Sequence, residues 1–175
     1  MPIRVALQSV EEAELLLDNK QRYASIGRGV IVYVAFLGSI NEEALKKALD
    51  MLLTANVFHH LEPDGTLTDQ STSLSNYPSA DVLIVPQASL GGKLKGRNVQ
   101  FHALVAKSEG SPLYDRFVKL MREARGIDLT TVDANGVPLP GQEMGPRGRV
   151  ISGTWGNQQA LQLKSRGPLT HVLDL

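Results

Sequence analysis

The chain contains no cysteine, which removes disulfides, thiolate zinc sites and cysteine nucleophiles together. It has no net charge: 18 Lys and Arg balance 18 Asp and Glu. The whole molecule therefore exerts no pull on nucleic acid, and any such contact must come from a local patch. No long apolar run opens the chain, so neither a signal peptide nor a transmembrane helix is expected. No metal-ligand spacing is legible: His59 and His60 are adjacent, and in a strand they would face opposite sides. These absences set the expectation of a cytoplasmic protein with no metal, cofactor or membrane attachment.

What is present is ordinary globular composition. The chain has 175 residues, 42% hydrophobic and 21% charged, enough for one domain that buries roughly 70% of its unfolded surface. One stretch reads as a single device, Asp81 to Asn98. Val82 to Val85 is a short apolar run that suits a buried strand. Pro86 cannot donate to a ladder and should end it. Gln87 and Ser89 follow, then Gly91 and Gly92, then three cations in five residues, Lys93, Lys95 and Arg97. A rigid strand end carrying polar groups and a flexible basic loop is a way to present chemistry to an anionic partner.

The rest of the chain reads as a frame for that device. Arg4 to Val10 is a first strand. Glu11 to Lys20 is open between a helical turn and a continuation of that strand. Val30 to Leu37 is the most apolar segment and should be a central strand buried on both faces. Asn41 to Asn56 carries Leu45, Ala48, Leu49, Leu52 and Leu53 on one stripe, with Asn41 as N-cap. Val57 to Leu61 and Thr66 to Thr68 flank a turn at Pro63-Asp64-Gly65, and Asp69 to Ser79 reads as irregular. Val99 to Ala106 reads as a strand. Ser111-Pro112 is expected to open a second helix, with Leu113, Phe117, Leu120, Met121 and Ala124 inward and Gly126 as the stop. The Gly- and Pro-punctuated segment 127–148 reads as a loop insertion. Val150 to Leu163 resumes β character, and Leu169 to Leu175 closes it. The expectation is a single α+β domain over 1–175, with a curled or barrel-like sheet packed against two main helices among about seven strands.

Three stretches carry a family resemblance: Leu83 to Asn98 (LIVPQASLGGKLKGRN), Gly153 to Asn157 (GTWGN) and Ser165 to Leu175 (SRGPLTHVLDL). Together they resemble the D-aminoacyl-tRNA deacylase family, most closely its animal-type branch. The family's Ser-Gln-x-Thr motif, Pro-Gln-Ala-Thr in that branch, corresponds to Pro86-Gln87-Ala88-Ser89. Its Asn-x-Gly-Pro-x-Thr motif corresponds to Ser165-Arg166-Gly167-Pro168-Leu169-Thr170. Ser89 and Ser165 depart from the motif Thr and Asn, and Gln8-Ser9 stands where the main branch has Gln-Arg.

The resemblance implies a homodimer with active sites at the subunit interface and aminoacyl-tRNA as substrate. It implies hydrolysis of the ester that links a wrongly attached D-amino acid, glycine or L-alanine to the terminal ribose. Gln87, Ala88 and Ser89 would be catalytic, and Pro86, Gly167, Pro168 and Thr170 would line the substrate pocket. Lys93, Lys95 and Arg97 would contact tRNA phosphates. An aminoacyl ester is already activated, so such an enzyme mainly positions it and stabilises an oxyanion. Backbone N–H groups at Ala88 and Ser89 could do that for a water attack helped by the substrate's own ribose 2′-hydroxyl, with Gln87 orienting. A nucleophilic Ser89 would need a base within reach, and no Ser-His-Asp order is legible. The alternative is a non-catalytic module on the same scaffold that binds tRNA or a small ligand. Taken alone, Pro-Gln-Ala-Ser is usually a strand exit, Gly167-Pro168 a turn, the basic loop a solvated one, and Trp155 a packing residue.

Overall fold

The computed structural model describes residues 1–143, 145–167 and 169–175. The segments Val30 to Phe36 and Val82 to Val85 are apolar on both alternating sides, so they need cover on both faces, and that need organises the chain. They form β4 (Gly29–Phe36) and β7 (Asp81–Pro86), which run parallel in register, Val30 beside Val82 and Val34 beside Pro86. A third parallel strand, β10 (Val150–Ser152), extends this edge. On the other side β1 (Ile3–Val10) and β12 (Thr170–Asp174) add antiparallel, giving the order β10-β7-β4-β1-β12. The sheet is open at both ends, so the barrel-like closure allowed by the sequence is not what forms.

Parallel neighbours cannot be joined by a hairpin and need a crossover. Helix α1 (Glu42–Thr54) lies on the path from β4 to β7, and α2 (Lys107–Ala124) on the path from β7 to β10. Both cover one face, where Val30, Val32, Val34, Phe36, Val82 and Ile84 meet Leu45, Leu49, Leu52, Phe117 and Met121. Ile31, Leu83, Val85 and Ile151 point the other way. They are covered by a second sheet of β2 (Glu12–Leu16), β3 (Tyr23–Ile26) and β11 (Leu161–Lys164), in the order β11-β2-β3. Two hairpins complete the fold, β5 (Phe58–Leu61) with β6 (Leu67–Thr72) and β8 (Lys93–Lys95) with β9 (Asn98–Gln100).

Helix α1 forms as its sequence dictates: Asn41 Oδ1 accepts from Ala44 N–H at 2.8 Å, and the apolar stripe is buried. Helix α2 departs from expectation. It begins at Lys107, with Ala106 as N-cap and no capping side chain, and Pro112 lies inside it. A proline this early deprives only Ser108 C=O of its intrahelical donor, a small loss against what the first turn packs. Gly110 sits so close to the Trp155 ring that a Cβ there would come within 2.4 Å of it. The buried stripe of α2 runs through Tyr114, Phe117, Val118 and Met121, whereas Ala124 is exposed.

Val99 to Ala106 is not one strand either. Only Asn98–Gln100 pairs; afterwards Leu104 bridges Leu37 and Val105 N–H donates to Phe36 O, so this segment crosses the end of β4. Its apolar residues mark burial, not extension. Within Glu11 to Lys20, Glu12–Leu16 is the strand β2 and the rest bends into a loop, and Asp69 to Thr72 belongs to β6 rather than to an irregular stretch. Twelve strands form among the described residues where about seven were expected, because several are only three or four residues long.

Candidate active site

The strand β7 delivers the first motif. Pro86 is its last residue, beside Val34, and Gln87 N–H donates to Val34 O at 2.9 Å. The proline then helps tip the chain into a single 3₁₀ turn, Ala88–Gly91, closed by Leu90 N–H to Gln87 O and Gly92 N–H to Ser89 O. The first N–H groups of such a turn have no partner within it. Ala88 and Ser89 N–H find no acceptor elsewhere among the described residues, so two adjacent backbone donors stand unclaimed at the end of a rigid strand. Such a pair can hold a developing oxyanion.

The side chains beside them are tied to each other. Ser89 Oγ donates to Gln87 Oε1 at 2.9 Å. That occupies the Gln87 amide oxygen and leaves the amide nitrogen as a donor. An amide oxygen cannot take a proton, so this contact orients Ser89 without activating it. Tyr33 was not singled out by the sequence, although a phenol as the one polar side chain of an otherwise apolar strand is a visible signal. It lies beside Val85 across the β4–β7 ladder, and its hydroxyl is 3.4 Å from Gln8 Oε1. Burial raises its pKa above the ordinary phenol value.

The second motif lies at the other end of the same sheet. Thr170 pairs with Gln8, which pairs with Ile31 on β4. Ile31 is beside Leu83 on β7, so from Gln87 that is three strands across and four residues back, roughly 20 Å at about 4.8 Å per strand and 3.3 Å per residue. Gly167 lies farther along, in a turn where Ser165 Oγ donates to Gly167 O at 2.7 Å and Leu169 N–H donates to it at 2.6 Å. Arg166 anchors this turn to Gly65 O at 2.7 Å and to Glu11 at 3.4 Å. Gly167 borders a cavity of about 110 Å³ with Ser9, Arg28, His59 and Tyr77. Pro168, expected in the substrate pocket, falls outside the described residues. Within one chain the two motifs are not brought together.

The basic residues follow the first motif directly. Lys93 and Lys95 occupy β8, Arg97 the turn to β9, and all three are exposed. Trp155 packs, as expected, with ring centroids 5.6 Å from Tyr114 and 6.4 Å from Phe36. The histidine pair divides: His59 Nδ1 lies 2.7 Å from Thr68 O, and His60 stacks edge-on with Tyr77.

A family model described as D-Tyr-tRNA(Tyr) deacylase matches residues 6–174 of this chain. A Leishmania major protein assigned as D-tyrosyl-tRNA(Tyr) deacylase 2 is 48% identical, with 97% of this chain and 99% of that one aligned. The human D-aminoacyl-tRNA deacylase 2 is 32% identical over 98% of this chain and 94% of its own. A solved structure described as "Structural Analysis of a probable eukaryotic D-amino acid tRNA deacylase" superposes with a TM-score of 0.89 at 48% identity, covering 100% of both chains.

Proposed function

The chain belongs to the D-Tyr-tRNA(Tyr) deacylase family, and from that premise we propose that it is a tRNA-editing hydrolase. It cleaves the ester between a wrongly attached amino acid and the 3′-terminal ribose, with D-aminoacyl, glycyl and mischarged L-alanyl esters as its candidate substrates. The observation that carries this reading is the pair of unclaimed amides at Ala88 and Ser89, set beside a serine hydroxyl committed to an amide oxygen. Water attacks the ester carbonyl, helped by the substrate's ribose 2′-hydroxyl. The two N–H groups take the oxyanion, and Gln87 Nε2 orients the substrate. Ser89 positions Gln87 and does not attack.

The separation of the two motifs supports a homodimer in which each pocket combines residues 86–89 of one copy with Gly167, Pro168 and Thr170 of the other. Lys93, Lys95 and Arg97 lie next to the 86–89 motif in sequence and meet the phosphates of the acceptor end. Charged tRNA as substrate favours a cytoplasmic site of action.

Deacylation by catalytic amounts of protein tests the reading. D-tyrosyl-tRNA, glycyl-tRNA and threonine tRNA mischarged with L-alanine are compared with correctly charged L-threonyl-tRNA. At least one of the first three esters should disappear well above the buffer rate while L-threonyl-tRNA persists. Ser89→Ala should keep activity within about tenfold, because the loss is one orienting hydrogen bond of about 1 kcal/mol. A loss of a thousandfold or more would mean that Ser89 is the nucleophile. Decay of every ester at the buffer rate would leave a binding module.

A further inference from the structure

The segment from Val82 to Ser108 holds Lys93, Lys95, Arg97 and Lys107 and no Asp or Glu. In a chain of zero net charge, a local excess of +4 is therefore balanced by −4 in the remainder. Among the described residues none of Lys93, Lys95 and Arg97 pairs with a carboxylate. The β8–β9 ribbon that carries them has two unlike faces. Lys93 is opposite Gln100 and Lys95 opposite Asn98, while Leu94 is opposite Val99 and, by strand alternation, points to the other side. The apolar side is open: Leu94 is 74% exposed, Val99 53% and Phe101 45%.

This exposed apolar strip is joined to the candidate catalytic turn. A Cβ on Gly92 would lie 2.5 Å from Val99, 3.0 Å from Phe101 and 3.2 Å from Ser89 O. Val99 and Phe101 therefore rest over Gly92, immediately beyond the unclaimed amides. Unpaired cations flanking an open aromatic and aliphatic surface match the chemistry of single-stranded nucleic acid, whose phosphates need charge and whose bases need a flat apolar partner. A duplex buries its base faces and would use the cations alone.

We infer that the Leu94–Val99–Phe101 surface is a stacking platform for the unpaired 3′ nucleotides of tRNA, with Phe101 as its ring, while Lys93, Lys95 and Arg97 hold the intervening phosphates. The inference rests on the deacylase reading for the direction of the strand. An ester bound at Ala88–Ser89 sends the nucleotides that precede it toward Gly92 and the ribbon. It assigns a positioning role to Phe101 that turnover alone would not reveal.

The test measures binding of uncharged tRNA with and without its unpaired 3′ nucleotides. For the unmodified protein, trimming should weaken binding about tenfold, a typical loss for one stacked base. In Phe101→Ala that ratio should fall toward one. Phe101→Leu keeps apolar bulk without a ring and should behave like the alanine variant, whereas Phe101→Trp should restore the ratio. Replacing Lys93, Lys95 and Arg97 together with alanine should instead flatten the salt dependence of binding. An unchanged ratio in both Phe101→Ala and Phe101→Leu would overturn the inference. So would a Phe101→Ala protein that sediments as a monomer where the parent is a dimer, because the strip would then be a subunit contact. Failure of the deacylase reading shows separately, as absence of turnover by the unmodified protein on every ester.

Discussion

Two polar regions of this molecule solve opposite problems. One surrounds the C-terminal half of α2, where Arg122 and Arg125 are buried. Arg122 donates to Ala134 O at 3.2 Å, Val150 O at 3.3 Å and Ser152 Oγ at 2.8 Å. Arg125 donates to Leu74 O at 2.7 Å, Tyr77 O at 2.9 Å and Ala80 O at 2.6 Å. Neither meets a carboxylate at ion-pair distance among the described residues; backbone carbonyls and Ser152 Oγ take most of their N–H groups, with Arg125 Nε left buried without a partner among the described residues, and burial pulls both guanidinium pKa values below the ordinary one. The other region, from Gln87 to Phe101, leaves backbone donors unclaimed and cations without a carboxylate partner among the described residues. Similar polar residues serve as rivets in one place and as open valences in the other. A group that spends most of its bonds inside the chain stabilises the fold, and one whose bonds are left open at a rigid, exposed edge is available to a ligand.

The comparison can be broken at its strongest point first. Arg125→Met removes the donors to the Leu74, Tyr77, Pro78 and Ala80 carbonyls, two of these bonds buried and two half-buried, and should cost about 3 kcal/mol of stability in urea unfolding. A cost below about 0.5 kcal/mol would mean that this region is no more committed than the ribbon. Tyr114 comes next. Its buried hydroxyl lies 2.8 Å from Gly153 O and 3.1 Å from Ile84 O, stitching α2 to the sheet. Burial pushes its pKa well above the ordinary tyrosine value, so it stays a neutral donor throughout the accessible range. Tyr114→Phe should lose about 1–2 kcal/mol at every pH where the protein is folded.

The smallest effect belongs to a charge pair in the open. Arg116 Nε donates to Glu42 at 3.0 Å, joining α2 to α1. The hydrogen bond from Arg116 holds the Glu42 pKa at about 2, below its ordinary 4.5. A depressed carboxylate pKa stabilises fully above the unfolded value and loses that contribution as pH falls through the folded one. The Tm difference between the parent and Glu42→Gln should be constant above pH 4.5 and vanish as pH falls through about 2. A difference that grows on acidification would contradict the assignment.

The long elements were legible in the sequence because one signal decided each of them. The stripe of Leu45, Ala48, Leu49 and Leu52 with Asn41 before it forms α1, and the unbroken apolar run from Val30 forms β4. The start of α2 was not legible. Ser111-Pro112 is a stronger local helix opening than Lys107, but the fit of Gly110 against Trp155 is a tertiary fact. The segment 127–148 looked unstructured because its glycines and prolines suppress regular hydrogen bonding. Asp133 nonetheless caps a tight turn there through Asn135 and Val137 N–H, and Asn135 Nδ2 ties that turn to Ser152 O at 2.8 Å. Of the candidate site, the strand exit at Pro86 and the following turn could be read locally. The distance from Gln87 to Gly167 could not, because it depends on the strand order β7-β4-β1-β12.

That distance underlies the central claim, a hydrolytic site shared between two copies. Gln87→Ala damages residues 86–89. Gly167→Val damages the other motif, and apart from its chain neighbours a Cβ at Gly167 meets nothing within 4 Å among the described residues, so the folded chain has room for the substitution. Each variant alone should be inactive on the preferred ester. Co-expressed, they should regain activity, because one pocket of each mixed dimer combines an intact 86–89 motif with an intact Gly167. Mixed dimers that form yet remain as inactive as either variant would contradict the shared site.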